Sequence, residues 1–205
     1  MENLASRVEA RRLAKELLAQ AKENELIITA DLQTIATAVS TKILGLENKF
    51  KTEESLIRKL SLLADKDQSN QTSKQKLEKF ARRNNDALRY TFIFQIEKYA
   101  QGFQDTIERL KKAGFEIPPN RIWNAWENEE TEKDTGYRGI NITIISSQKQ
   151  KIELQFHTAE SFWLKTETHY LYKELSNLKT FDKRREEIIK ERLRLAKQIK
   201  RPKGI

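Results

Sequence analysis

Apolar positions in the first part of the chain recur at helical spacing. Ala10, Ala14, Leu17, Leu18 and Ala21 line one side of residues 3–23, which predicts an amphipathic helix. A second helix is expected from Thr29 or Asp31, both good caps, to about Lys42, and a third over 52–64 with Thr52 as its cap. Residues 65–75, DKDQSNQTSKQ, contain no apolar anchor and read as a mobile loop. The pattern then changes. RYTFIF over 89–94 is aromatic and β-branched, as strands are, and Tyr99, Phe103, Ile107 and Leu110 mark a helix closed by Gly114. Pro118 and Pro119 open an irregular acidic stretch with Trp123 and Trp126. Two strands follow, 139–146 and 151–157, joined by a turn near SQKQ; helices over 159–175 and 181–200 complete the chain. Helices flanking a run of strands predict an α/β (α+β) domain with a mixed central sheet.

A length of 205 residues suits one buried core. The expected organisation is one domain with N-terminal helices over 1–42, a core over 43–175 and a basic C-terminal helix over 176–205. No apolar run approaches the roughly 20 residues of a membrane span, so no membrane partner is expected. Without cysteine, and with only His157 and His169, the chain cannot build a thiolate or histidine-rich metal site; carboxylates would favour magnesium. The net charge is +9, and residues 179–205 carry six Lys and five Arg against four acids, which places +7 in the last helix. That helix is either a solvated face or a contact for nucleic acid.

In KIELQFH, alternation sends Ile152, Leu154 and Phe156 to one side and Glu153, Gln155 and His157 to the other. The polar side is either an active-site face or one that meets water. Gly136-Tyr137-Arg138-Gly139 could bring backbone amides to a phosphate while Tyr137 stacks on a base, or be an ordinary strand-entry turn. If a helix starts near Thr52, Lys51, Ser55 and Lys59 share a face and could converge on a polyphosphate, or stand as a solvated face. Lys165, His169 and Tyr172 share another face. Asp86, ahead of the 89–94 strand, could hold a metal or serve as a turn residue.

These blocks, in order, resemble the RelA/SpoT alarmone synthetases. Lys49-x-Lys51-x3-Ser55-x3-Lys59 resembles their ATP-binding pattern, and Asp86 their magnesium-holding aspartate. The stretch from Lys133 through Gly136, Tyr137, Arg138 and Gly139 to Asn141 is similar to their acceptor loop. Glu153-Leu-Gln155-Phe-His157-Thr158 resembles their catalytic strand, and Phe162-Trp163 with His169-x-x-Tyr172-Lys173 their following helix. The resemblance spans roughly 43–175 and implies the synthetase (nucleotidyltransferase-like) fold. It further implies a pyrophosphokinase that moves the β,γ-pyrophosphate of ATP to a ribose 3′-hydroxyl, with Mg2+ held by Asp86 and Glu153 and Glu153 as base. Lys49, Lys51, Ser55, Lys59 and Arg89 would serve ATP. Lys133, Gly136, Tyr137, Arg138, Asn141, Gln155, His157 and His169 would serve the acceptor.

The departures lie mostly on the acceptor side. Lys49 replaces an arginine, Arg89 follows Asp86 at a shorter spacing than in the family, Asn141 replaces a histidine and His157 an arginine. They resemble the toxin-type branch, which implies an adenine nucleotide (ADP, AMP or ATP) as acceptor and ppApp-type products. The alternatives are the 3′ end of tRNA, GDP or GTP with (p)ppGpp as product, and an inactive nucleotide- or RNA-binding module. No upstream His-Asp metal pattern is present, so the product is expected to be made without being destroyed. Such a toxin would drain ADP and ATP in the bacterial cytoplasm, free or delivered as a secreted or phage-borne domain, and would need an immunity or antitoxin protein.

Overall fold

The computed structural model describes residues 4–129, 131, 134–177 and 183–205. Helix α1 runs unbroken over Leu4–Ala38, where two helices were expected. The stripe Ala21, Glu25, Ile28, Leu32, Ile35 continues at spacings of three and four through the supposed break. Glu25 interrupts only its polarity: its carboxylate meets Lys49 Nζ at 2.9 Å and accepts from the Thr29 hydroxyl at 2.6 Å. Thr29 therefore does not cap a helix; its hydroxyl lies 2.6 Å from that of Tyr90 in the sheet.

Helix α2 covers Glu53–Lys66, with Thr52 as its N-cap accepting from Ser55 N as expected, a contribution of about 1 kcal/mol. The polar stretch that follows is shorter than predicted, because a further helix, α3 (Ser73–Arg83), starts at a Thr72–Gln75 capping box. Its Leu77 and Ala81 close a small core with Ala10, Leu13, Leu60 and Ala64. The connection is tied down as well: Lys79 Nζ lies 2.7 Å from the Asp67 carboxylate, and Asp67 accepts from Ser69 N.

Five strands form a mixed sheet: β1 (Lys42–Leu44), β2 (Arg89–Phe94), β3 (Ile122–Asn124), β4 (Ile140–Ile145) and β5 (Lys151–Thr158). Their spatial order is β1-β2-β5-β4-β3, with β2 and β5 parallel and every other pair antiparallel. The short edge strands β1 and β3 were not expected. Alternation divides the faces as read from β5. Tyr90, Phe92, Phe94, Ile140, Ile142, Ile144, Ile152, Leu154 and Phe156 enter one core shared with α1 and with α4 (Tyr99–Lys112).

The 159–175 helix is two, α5 (Ala159–Glu167) and α6 (His169–Asn177), separated at Thr168, whose hydroxyl bonds back to Leu164 O at 2.7 Å. Helix α7 covers Lys183–Ala196; its expected start at 181 lies outside the described residues. Ala196 and Ile199 belong to the main core, so the C-terminal segment packs on the same unit as α1. None of the described helices is long and apolar enough to cross a membrane.

Candidate active site

The polar face of the sheet becomes the floor of a cavity because of its register. Arg89 and Thr143 flank Glu153 in one row, and Thr91, Asn141 and then Trp123 align with Gln155 in the next. Side chains directly opposite on one face stand roughly 5 Å apart, so the two rows bring β2, β5, β4 and β3 together. Helices α2, α5, α6 and α7 wall the space above, a cavity of about 1140 Å³. That exceeds the roughly 300–1,000 Å³ of an ordinary small-ligand pocket, which is room for two nucleotides.

At one end, Lys51 and Lys59 converge on the same oxygen of Asp86, at 2.7 and 2.9 Å. Asn84 donates to the other carboxylate oxygen at 2.8 Å. Burial pushes the Asp86 carboxyl up, but the ammonium groups of Lys59 and Lys51 outweigh it and hold it well below the usual carboxylate range. Glu153 shifts the opposite way: burial raises its pKa first, and the charge of Asp86 adds to the rise. Gln155 donates to it at 3.0 Å.

Two carboxylates sharing one field are a fit for a hard divalent cation. Among the described residues no group of three His, Cys, Asp or Glu converges. Asp86 and Glu153 would thus hold Mg2+ as a pair, completed by phosphate oxygens and water, as is usual for this ion.

At the other end, Tyr137 stacks on Trp123 with centroids 5.2 Å apart, and its hydroxyl meets Asn141 Oδ1 at 2.7 Å and His157 Nε2 at 2.8 Å. His157 is fully buried, also bonded to Ser161, and is not among the cavity-lining side chains. Burial, aided by Lys165, lowers its pKa well below the usual imidazole value, so it is neutral. Gly139 leaves room for that ring: a Cβ there would lie 2.8 Å from His157 Cε1.

Arg138 is nearly buried and paired with Asp134 through two bonds of 2.9 and 3.0 Å, so it braces the loop that presents Tyr137. Gly136, at φ +71°, accepts a shape other residues resist, and a Cβ there would lie 2.7 Å from Arg192 O.

Ser55, Arg89, Asn141, Gln155 and His169 also line the cavity. Lys49 lines no part of it and is bound to Glu25; Lys133 lies outside the described residues. Four lining residues that could bear on the chemistry were not assigned to the site from the sequence. Lys165, seen only as part of a helix face, bonds to Gln155 Oε1, and burial lowers its pKa to about 8. Trp123 carried only its place in an irregular stretch. Arg185 and Arg192 come from the basic helix, where nothing but charge marked them.

No family model matches the chain, and no curated protein matches it by sequence. Solved structures do. Small alarmone synthetase 1 from Bacillus subtilis superimposes with TM-score 0.60 at 14% identity, over 90% of this chain and 88% of that one. A GTP pyrophosphokinase family protein from Streptococcus pneumoniae gives 0.57 at 16%, over 90% and 87%. A chain of the complex between the type VI effector Tas1 and its immunity protein gives 0.54 at 12%, over 90% and 96%. With its five-stranded mixed sheet and flanking helices, the chain has the fold of the RelA/SpoT-type small alarmone synthetases, one shared with a chain of the Tas1 effector complex.

Proposed function

We propose that the chain is an ATP-dependent pyrophosphokinase that transfers the β,γ-pyrophosphate of ATP to the 3′-hydroxyl of an adenine nucleotide. The observation that carries this reading is the convergence of Lys51 and Lys59 on Asp86 beside Glu153, in a cavity large enough for two nucleotides. When ATP enters, its phosphates compete with Asp86 for the two ammonium groups, and Ser55 and Arg58 line the same wall. The raised pKa of Glu153 makes it a better base than an ordinary carboxylate. It takes the proton of the acceptor 3′-hydroxyl, whose oxygen attacks the β-phosphorus; the bond to the α-phosphate oxygen breaks and AMP leaves. Bound Mg2+ would supply electrostatic stabilisation of charge on the transferring phosphates. Lys51, Lys59 and Lys165 add to it, already oriented before the reaction.

The base-side groups favour adenine. Asn141 spends its carbonyl oxygen on Tyr137, leaving its amide N–H groups to donate. A donor suits adenine's ring nitrogens better than guanine's N1–H and N2–H2. His157 supports Tyr137 from behind. The toxin role rests on the likeness to the complex of the type VI effector Tas1 with its immunity protein; by that likeness this chain too would be growth-inhibitory and met by a neutralising protein.

γ-Labelled ATP with magnesium, offered ADP, GDP or deacylated tRNA in separate reactions, should label ADP. Absence of label on any acceptor would remove the enzyme reading; label on GDP alone would remove the adenine assignment.

Lys165 sets a pH limit. Its folded pKa of about 8 lies below that of a free lysine, so its charge is present below that value and is lost as pH rises through it. Transfer should therefore decline above about pH 8. Lys165→Arg, which stays protonated, should extend the plateau upward. An unchanged alkaline limb in that variant would assign it to another group.

A further inference from the structure

We infer that Arg192, on helix α7, binds the phosphate groups of the acceptor nucleotide. The inference rests on the reading of the cavity as a two-nucleotide site and adds to it a guanidinium from α7. Arg192 lines the cavity although its residue is only 7% exposed, and its Nε has no hydrogen-bond partner among the described residues. Its guanidinium lies over the Tyr172 ring at 5.8 Å, which fixes its direction without satisfying its N–H groups. Asp134 is the acid whose charge reaches it, but both oxygens of that carboxylate are engaged by Arg138. A buried cation with an orphaned donor is costly to the fold unless something anionic completes it.

The anion is identified by place and by shape. Lys51, just ahead of α2, and Lys59 on it serve the donor's phosphates. Arg192 comes from α7, and its backbone carbonyl is so close to Gly136 that a Cβ there would sit 2.7 Å away. It therefore belongs to the loop that presents Tyr137, the acceptor end. From α6 and α7, His169, Lys173 and Arg185 also line the cavity. A guanidinium fork matches two phosphate oxygens at once, which an ammonium cannot do.

The test compares adenosine, AMP and ADP as acceptors at saturating ATP in wild type, Arg192→Met and Arg192→Lys. Losing one charge-assisted phosphate contact should cost Arg192→Met about 10- to 100-fold in kcat/KM for ADP, mostly through KM. Adenosine and the KM for ATP should change little, and Arg192→Lys should lose less. The expected result is thus a collapse of the preference for phosphorylated acceptors. An equal loss on all three acceptors would show a merely structural side chain and overturn the inference, as would no loss at all. Calorimetric binding of ADP and adenosine is measured alongside. If wild type transfers nothing, the pyrophosphokinase reading fails on its own. The role of Arg192 is then decided by whether the binding preference for ADP over adenosine disappears in Arg192→Met, or, should that variant not fold, is measurably reduced in Arg192→Lys; an unreduced preference overturns the inference.

Discussion

Glu153→Gln should reduce pyrophosphate transfer by at least about 10³-fold while leaving the Kd for ATP within roughly twofold. General-base catalysis alone is worth 10²- to 10⁴-fold, and in the proposed mechanism the same side chain is one of two carboxylates that would hold Mg2+. The amide keeps the shape of the acid, so the floor rows around Arg89, Thr143 and Gln155 stay in register. On the proposed function ATP would be held mainly by Lys51 and Lys59, and its binding should be spared. A second signature separates catalysis from damage. Because burial and Asp86 raise its pKa, Glu153 favours the fold while protonated, and that contribution is lost as pH rises through its folded pKa. At pH 7–8 the glutamine variant should therefore melt at a higher temperature than wild type, and the gap should close in acid. An inactive variant that is also more stable marks a residue kept for chemistry. Near-normal turnover would reassign the base; inactivity with a lowered Tm would mean only that the site had been disturbed.

What could be read from the chain alone follows from the range of the forces involved. The β5 face was legible because alternation is a local property: Ile152, Leu154 and Phe156 enter the core while Glu153 and Gln155 floor the cavity. Thr52 was legible as a cap for the same reason. Helix α1 was misread because Glu25 broke the apolar stripe, and its partner Lys49 is 24 residues away. That pairing also explains why Lys49, matched to an ATP-binding position, stands outside the cavity lining. Helix α3 was hidden by the polar run before it, since Thr72 and Gln75 make a capping box whose two halves each look like loop residues.

The α7 wall was the least legible. Six Lys and five Arg in residues 179–205 gave a strong charge signal that did not single out any of them. Folding sorts them by partner. Arg184 pairs with Glu174 and Glu187, and Arg194 with Glu191, as exposed pairs. Arg185 bonds to Leu175 O, and Arg192 turns inward. Trp123 was overlooked for a related reason: its role comes from β3 pairing with β4, which puts it beside Asn141 and against Tyr137.

Asp86→Ala should have the second large effect, on stability and activity together. The carboxylate, 6% exposed, joins Lys51, Lys59 on α2 and Asn84 at the end of α3. Removing it leaves two ammonium groups facing each other. Breaking a fully buried pair costs about 3–5 kcal/mol; because the Lys59 side chain is 34% exposed, about 2–3 kcal/mol is expected here. Asp86 has a depressed folded pKa, so its contribution is present above the unfolded value near 4 and fades as pH falls through the lower folded one. The melting difference between wild type and variant should then be level from neutral pH to about 4 and narrow below it. Turnover should fall by about 10²-fold or more, with half-maximal rate needing more magnesium, as expected for one of two carboxylate ligands. The isosteric Asp86→Asn keeps the volume and separates the roles: it should recover part of the stability and little of the rate. Equal recovery of both would leave Asp86 as a brace for the two lysines, and metal binding would then rest on Glu153 alone.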